Sequence, residues 1–120
     1  MNYKVVEQGS KIIIEYVPSV KWVENERDAL ESVAICGEND TNRLMLDAEN
    51  LTEDFYQLRT GVAGDILQNF VNYYIKGVAV LTTELVNQGR FREMVIEANR
   101  GRHFHVFFER EKAEQWLISD

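Results

Sequence analysis

After an opening pair of β-type runs, the chain alternates short apolar β segments with amphipathic helical stretches, and this alternation limits the fold most. Tyr3 to Glu7 and Lys11 to Val17 are rich in β-branched and aromatic residues. Gln8-Gly9-Ser10 separates them, the pattern of a hairpin with a glycine turn. Pro18 stops the second run, since it cannot donate to a sheet ladder. Arg43-Leu44-Met45-Leu46-Asp47 and Gly77-Val78-Ala79-Val80-Leu81 carry unbroken apolar stretches, as strands covered on both faces do. His103 to Phe108 reads as a last strand.

Helical spacing fills the intervals. Asn25 is a cap candidate, with Glu26 and Asp28 in the first turn, Ala29, Leu30, Val33 and Ala34 as inner face, and Gly37 as terminator. Leu51 and Thr52 open a short helix to about Leu58, and Thr60 or Gly61 begins a longer one. Its stripes are Val62, Ile66, Phe70 and Tyr73, and Leu67, Val71 and Tyr74. Gly61 and Gly64 would each cost ~1 kcal/mol against Ala inside a helix, which calls for close backbone packing or a bend. Thr82 or Thr83 caps a short turn before the Phe91 to Asn99 helix, which Gly101 ends. Glu109 to Ile118 closes the chain with Ala113, Trp116 and Leu117 as its stripe.

This order predicts an α/β fold. A mixed, mostly parallel five-stranded sheet has the N-terminal antiparallel hairpin at one edge and helices flanking it. The 120 residues suit one domain, residues 1–120, and the 45% hydrophobic content suffices for a core. The formal net charge of −7 repels phosphate backbones and argues against binding nucleic acid or an anionic membrane. Cys36 is the one cysteine, which points to a reducing compartment. The first residues lack an apolar signal core, and no apolar run nears the ~20 residues of a membrane span. The expected location is the cytoplasm.

Several segments together resemble a family of short bacterial proteins classed as a domain of unknown function. They are Cys36-Gly37-Glu38-Asn39-Asp40-Thr41-Asn42-Arg43-Leu44, Leu51-Thr52-Glu53-Asp54-Phe55, Leu58-Arg59-Thr60-Gly61 with Ala63-Gly64, and Phe70-Val71-Asn72-Tyr73. Gly89-Arg90-Phe91 and Glu97-Ala98-Asn99-Arg100-Gly101 complete the set. The strand-helix order, ending in Val106-Phe107-Phe108 and Ala113-Glu114-Gln115-Trp116-Leu117, is also similar to SpoIIAA-like (STAS-like) proteins. The first resemblance implies a fold and no activity.

Candidate chemistry follows from the predicted sheet. Ligands of open α/β sheets sit beyond the carboxyl ends of the strands. That rim would carry Asp47, Glu49, Asn50 and Thr52, then Thr82, Thr83 and Glu84. The plainer reading makes Thr52 and Thr83 helix caps and the acids solvated loop residues. The Glu38 to Arg43 loop is oxygen-rich but lacks the pattern of a calcium loop, and Asx bonds to backbone explain much of it. Its six polar residues exceed a turn's needs, which leaves room for a partner contact.

Thr60-Gly61-Val62-Ala63-Gly64 looks like a distant version of the Ser-Gly segment that is phosphorylated in SpoIIAA-like antagonists, although Arg59 precedes the Thr here. The resemblance implies a phospho-switch at Thr60, and a helix-to-helix joint with a Thr cap is the alternative. Arg90, Arg92, Arg100 and Arg102 bracket one helix and could meet an anion or an acidic partner, or simply pair with Glu93 and Glu97. His103 and His105 share a strand face without a third His, so no metal site is expected, and no motif asks for a cofactor.

The function expected from these features is a non-enzymatic regulatory or protein-interaction module with a protein partner. The alternative is a small-molecule-binding protein or enzyme using the carboxyl rim. A homodimer is also expected, because the edge hairpin with Ile12, Ile13 and Ile14 needs cover, from Trp22 and Val23 or from a second copy.

Overall fold

The computed structural model describes residues 3–17 and 26–119. The expectations placed on Pro18, Trp22, Val23 and Asn25 lie outside the described residues. Strands β1 (Tyr3–Gln8) and β2 (Lys11–Tyr16) form the antiparallel hairpin, and Gly9 turns it at φ +62°. Strands β3 (Arg43–Asp47), β4 (Lys76–Val80) and β5 (Phe104–Phe107) then add in parallel, giving a five-stranded sheet in the order β1-β2-β3-β4-β5.

The expected α/β architecture, with its edge hairpin and flanking helices, is the one observed. The helices are α1 (Glu26–Glu38), α2 (Glu53–Tyr56), α3 (Val62–Asn72), α4 (Thr83–Val86), α5 (Phe91–Ala98) and α6 (Arg110–Ile118).

Period-two alternation sorts the strand side chains onto two faces. Ile14, Tyr16, Leu44, Leu46, Ala79, Phe104 and Val106 turn toward α1, α3 and α5. There Phe55, Phe70 and Phe91 are fully buried, with ring centroids 5.9 Å apart for Phe55–Phe91 and 6.1 Å for Phe70–Phe104. Such aromatic pairs add ~1 kcal/mol each beyond area burial. Gly77 makes this packing possible: a Cβ there would stand 2.9 Å from the Phe70 ring. Ile13, Met45 and Val78 face the other way, onto Ala113 and Leu117 of α6. The apolar runs of β3 and β4 are therefore roofed on both sides.

Some local expectations need correction. The inner face of α1 is Ala29, Ser32, Val33 and Cys36, whereas Leu30 and Ala34 are exposed. Ser32 is buried because its hydroxyl bonds Tyr16 Oη at 2.8 Å. Gly37 lies inside α1, and Asp40 takes the left-handed turn after it at φ +54°. Gly61, at φ +77°, supplies the bend into α3, as one of the two compensations required. Gly64 is exposed with open space around it, and nothing in the structure explains it. Tyr73 and Tyr74 leave the α3 stripe, since the helix stops at Asn72 and Tyr74 turns left-handed at φ +57°.

Candidate functional site

The carboxyl rim is not a crevice of the anticipated kind. A crevice opens where strand order reverses and adjacent loops diverge. Here the order is sequential, without reversal. Asn50 is wholly buried: its Oδ1 accepts from Asp47 N and its Nδ2 donates to Val17 O, both at 2.8 Å. It ties the end of β3 to the end of β2. Asp47 accepts from Glu49 N at 3.1 Å as a cap. Thr52 occupies the cap position of α2 without a side-chain cap bond. Thr82, rather than Thr83, caps α4 by accepting from Leu85 N at 3.2 Å. Glu49, Thr83 and Glu84 are exposed.

A shallow concavity of about 380 Å³ does lie on this rim, against Glu49, Leu51, Glu53, Tyr56 and Leu85. The Tyr56 hydroxyl in it donates to Ala48 O at 3.3 Å. Burial, with Asp47 adding to it, pushes that phenol up to about 12.

Thr60 is exposed in the short 3₁₀ turn before α3. Its hydroxyl donates between Asp54 O (2.7 Å) and Gln57 O (2.8 Å) and accepts from Val62 N at 3.3 Å. The four arginines do not gather. Arg90 pairs with Glu93 at 3.2 Å and Arg100 with Glu97 at 3.5 Å, on exposed surface at opposite ends of α5. Arg92 is exposed on the helix between them.

Arg102 alone of the four reaches a concavity of about 540 Å³ at the opposite, amino ends of the parallel strands. It is joined there by Asn42, Arg43, Lys76, His105 and Trp116. Arg43 opens β3, Lys76 opens β4 and Arg102 precedes β5, so three neighbouring strands each bring a cation to one edge. Arg43 and Lys76 are direct register partners. Like charges in that arrangement repel. Both lean on the carboxyl end of α6: Arg43 Nε donates to Leu117 O at 2.8 Å and Lys76 Nζ to Ser119 O at 2.7 Å. The negative end of the helix dipole offsets part of the repulsion.

Trp116 forms the wall. His105 stacks on it at 4.0 Å between centroids, and Lys76 Nζ lies 4.6 Å from the ring centre. His105 Nε2 is held by Gly101 O at 2.8 Å, and His103 Nδ1 by Ile75 O at 3.2 Å. Among the described residues, no group of three or more His, Cys, Asp or Glu could hold a metal ion.

The loop of polar residues before β3 is largely structural. Asn39 donates to Ile35 O, Thr41 to Ile12 O, and Asn42 Nδ2 to Tyr74 O. Its last two members, Asn42 and Arg43, also line the cleft. Lys76, His105 and Trp116 were missed as a group. The signal that could have found them is the cation at or just before the start of each predicted parallel strand.

Beside the cleft, on the other sheet face, lies an apolar groove of about 150 Å³ formed by Leu67, Val71, Ala98 and Phe104. Gly101 and Arg102 line both hollows.

The family model for a domain of unknown function (DUF4180) matches residues 8–117. The chain belongs to the DUF4180 family. No curated protein and no solved structure matches this DUF4180 chain. The matched span includes Asn42, Arg43, Lys76, Arg102, His105 and Trp116 of the amino-rim cleft and both walls of the groove, and stops short of Ser119. Among the described residues of this DUF4180 protein, no helix is long and apolar enough to cross a membrane.

Proposed function

We propose that this DUF4180 chain is a non-enzymatic regulatory module that binds a protein partner, and that it works through the amino rim. The observation that carries the reading is the cationic cleft joined to an apolar groove in an otherwise acidic protein. Electropositive concavity on an acidic surface favours an acidic partner. Asp47, Thr60, Thr82, His103 and His105 are engaged in caps and backbone bonds. Cys36 is sealed in the core, where burial pushes its thiol up to about 11 and suppresses the nucleophilic thiolate.

A cytoplasmic bacterial module of SpoIIAA-like type belongs to the same proposal, supported by the strand-helix order and the lone unpaired cysteine. Phosphorylation of exposed Thr60 would place charge at the head of α3 and supply its switch. Intact-mass analysis finding Thr60 always unmodified would remove that element.

The test is site-specific photocrosslinking in living cells. A crosslinker at Tyr74, 76% exposed on the amino rim, should form a discrete protein adduct that Arg102→Glu abolishes. One at Glu84, on the carboxyl rim, should not. Adducts at Glu84 alone, or none at Tyr74 across growth conditions, would overturn the reading.

The second reading, a small-molecule site on the carboxyl rim, is favoured by the hollow beside Tyr56 and Leu85. A fragment screen read by crystallography should find that hollow vacant if the first reading holds.

A further inference from the structure

We propose that the amino rim docks an acidic peptide segment carrying an apolar anchor, a proposal that rests on the interaction-module reading above. The acidic side chains would enter the cleft against Arg43, Lys76 and Arg102. The anchor would enter the groove between Leu67, Val71 and Phe104.

Charge selects the first half of this ligand. Arg43 and Lys76 are register partners on neighbouring strands, with Arg43 Nε donating to Leu117 O and Lys76 Nζ to Ser119 O. Guanidinium forks bind carboxylates through paired donors, and the terminal amino groups of Arg43 form no hydrogen bond or ion pair among the described residues. Arg102 is exposed and forms no ion pair among the described residues. An incoming carboxylate pair meets the exposed Arg102 and the guanidinium of Arg43.

Apolar surface selects the second half. Val71 is 45% exposed at the groove wall, although it stands on a helix whose other apolar residues are largely covered. The groove and the cleft meet at Gly101-Arg102, so one extended chain crossing that ridge reaches both. Side chains of an extended peptide alternate in direction, which lets consecutive residues serve opposite hollows.

Size and total charge argue against other occupants. A lone phosphate leaves most of a 540 Å³ cleft and all of the groove unused. A nucleic acid meets a protein of net charge −7. Trp116 is already stacked by His105 and approached by Lys76, so a base would have to compete with both for its ring.

The experiment uses the full chain with Trp22→Phe, leaving Trp116 as the sole indole reporter. The probe is a short fluorescein-labelled peptide of alternating Asp and Glu around a central Leu-Phe pair. A second peptide replaces Leu-Phe by Ser-Ser, a third replaces the acids by Asn and Gln, and inorganic phosphate serves as competitor.

The first peptide should bind by polarisation, and its unlabelled form should shift Trp116 emission. Each altered peptide should bind about tenfold or more weakly, and so should the Arg102→Glu and Val71→Ser proteins. Both positions are exposed, so these variants keep the fold. Equal binding of the Ser-Ser peptide, with displacement by phosphate, would make the cleft a small-anion site and overturn the proposal. Failure of the first peptide to bind would overturn it as well. In either case an Arg102-dependent adduct at Tyr74 would leave the module reading standing, whereas loss of that adduct would remove both.

Discussion

Asn99 blocks the outer edge of the sheet by pairing with Val106: its Oδ1 accepts the Val106 N–H at 2.8 Å, and its Nδ2 donates to Val106 O at 3.4 Å. The amide mimics one residue of a neighbouring strand. An open edge is a template for pairing with another chain, and β5 is the last strand of the sheet. Asn99→Ala should lower the stability by about 1–2 kcal/mol, since it removes both bonds at once. It should also raise the tendency to associate. Urea melts and concentration-dependent light scattering would read the two effects, and an unchanged melt would show that water serves Val106 equally well.

The hairpin is fastened to α6 by charge. Arg110 forms a two-pronged pair with Glu15, one prong measuring 2.6 Å, and bonds Glu114 Oε1 at 2.8 Å. Glu114 in turn accepts from Gln8 Nε2 at 3.0 Å. The hydrogen bond with Glu15 is the main cause of the upward push on the Arg110 pKa. Glu15 has a side chain only 12% exposed, against 52% for Arg110. Arg110→Ala should therefore cost about 1–3 kcal/mol, less than for a fully buried pair because solvent screens the guanidinium. A double-mutant cycle with Glu15→Gln should return a coupling above about 0.5 kcal/mol. Strict additivity would contradict the network.

Gly77 tests the close approach of β4 and α3. Gly77→Ala would put a methyl 2.9 Å from the Phe70 ring, which is fully buried and has no room to retreat. Overpacking of this kind costs about 1–3 kcal/mol. Phe70→Leu should recover part of the loss in the double variant. A neutral Gly77→Ala would mean that the helix yields more easily than the packing suggests.

Alkali should weaken the fold in a defined window. Burial pushes Cys36 from its ordinary 9.0 to about 11 and Tyr56 from 10.0 to about 12. Both folded values lie above the unfolded ones, so the native state holds protons that the unfolded chain releases. The contribution is complete below pH 9 and declines as pH rises, until the folded groups also ionise. The Cys36 part amounts to about 2–3 kcal/mol between pH 9 and 11. Cys36→Ala should flatten that part of the stability curve while Tyr56→Phe flattens the stretch above it. A curve indifferent to both would show that neither group remains protonated by burial.

The class of fold was legible because periodicity is a local property. Leu44-Met45-Leu46 and Val78-Ala79-Val80 read as strands roofed on two faces, and the tight turn at Gly9 joins Tyr3–Gln8 to Lys11–Tyr16 in antiparallel fashion. Thr82 and the bend at Gly61 were readable for the same reason, since caps and turns answer to neighbours in sequence. Which rim carries the cationic hollow was not legible. It depended on strand order, and a sequential order brings no reversal where a crevice could open. Nor could sequence spacing bring Arg43, Lys76, Arg102 and Trp116 to one hollow, because parallel register and the landing point of α6 decide that contact. Local chemistry chose each element in this chain; the pairing of distant strands chose which of its charged residues would meet.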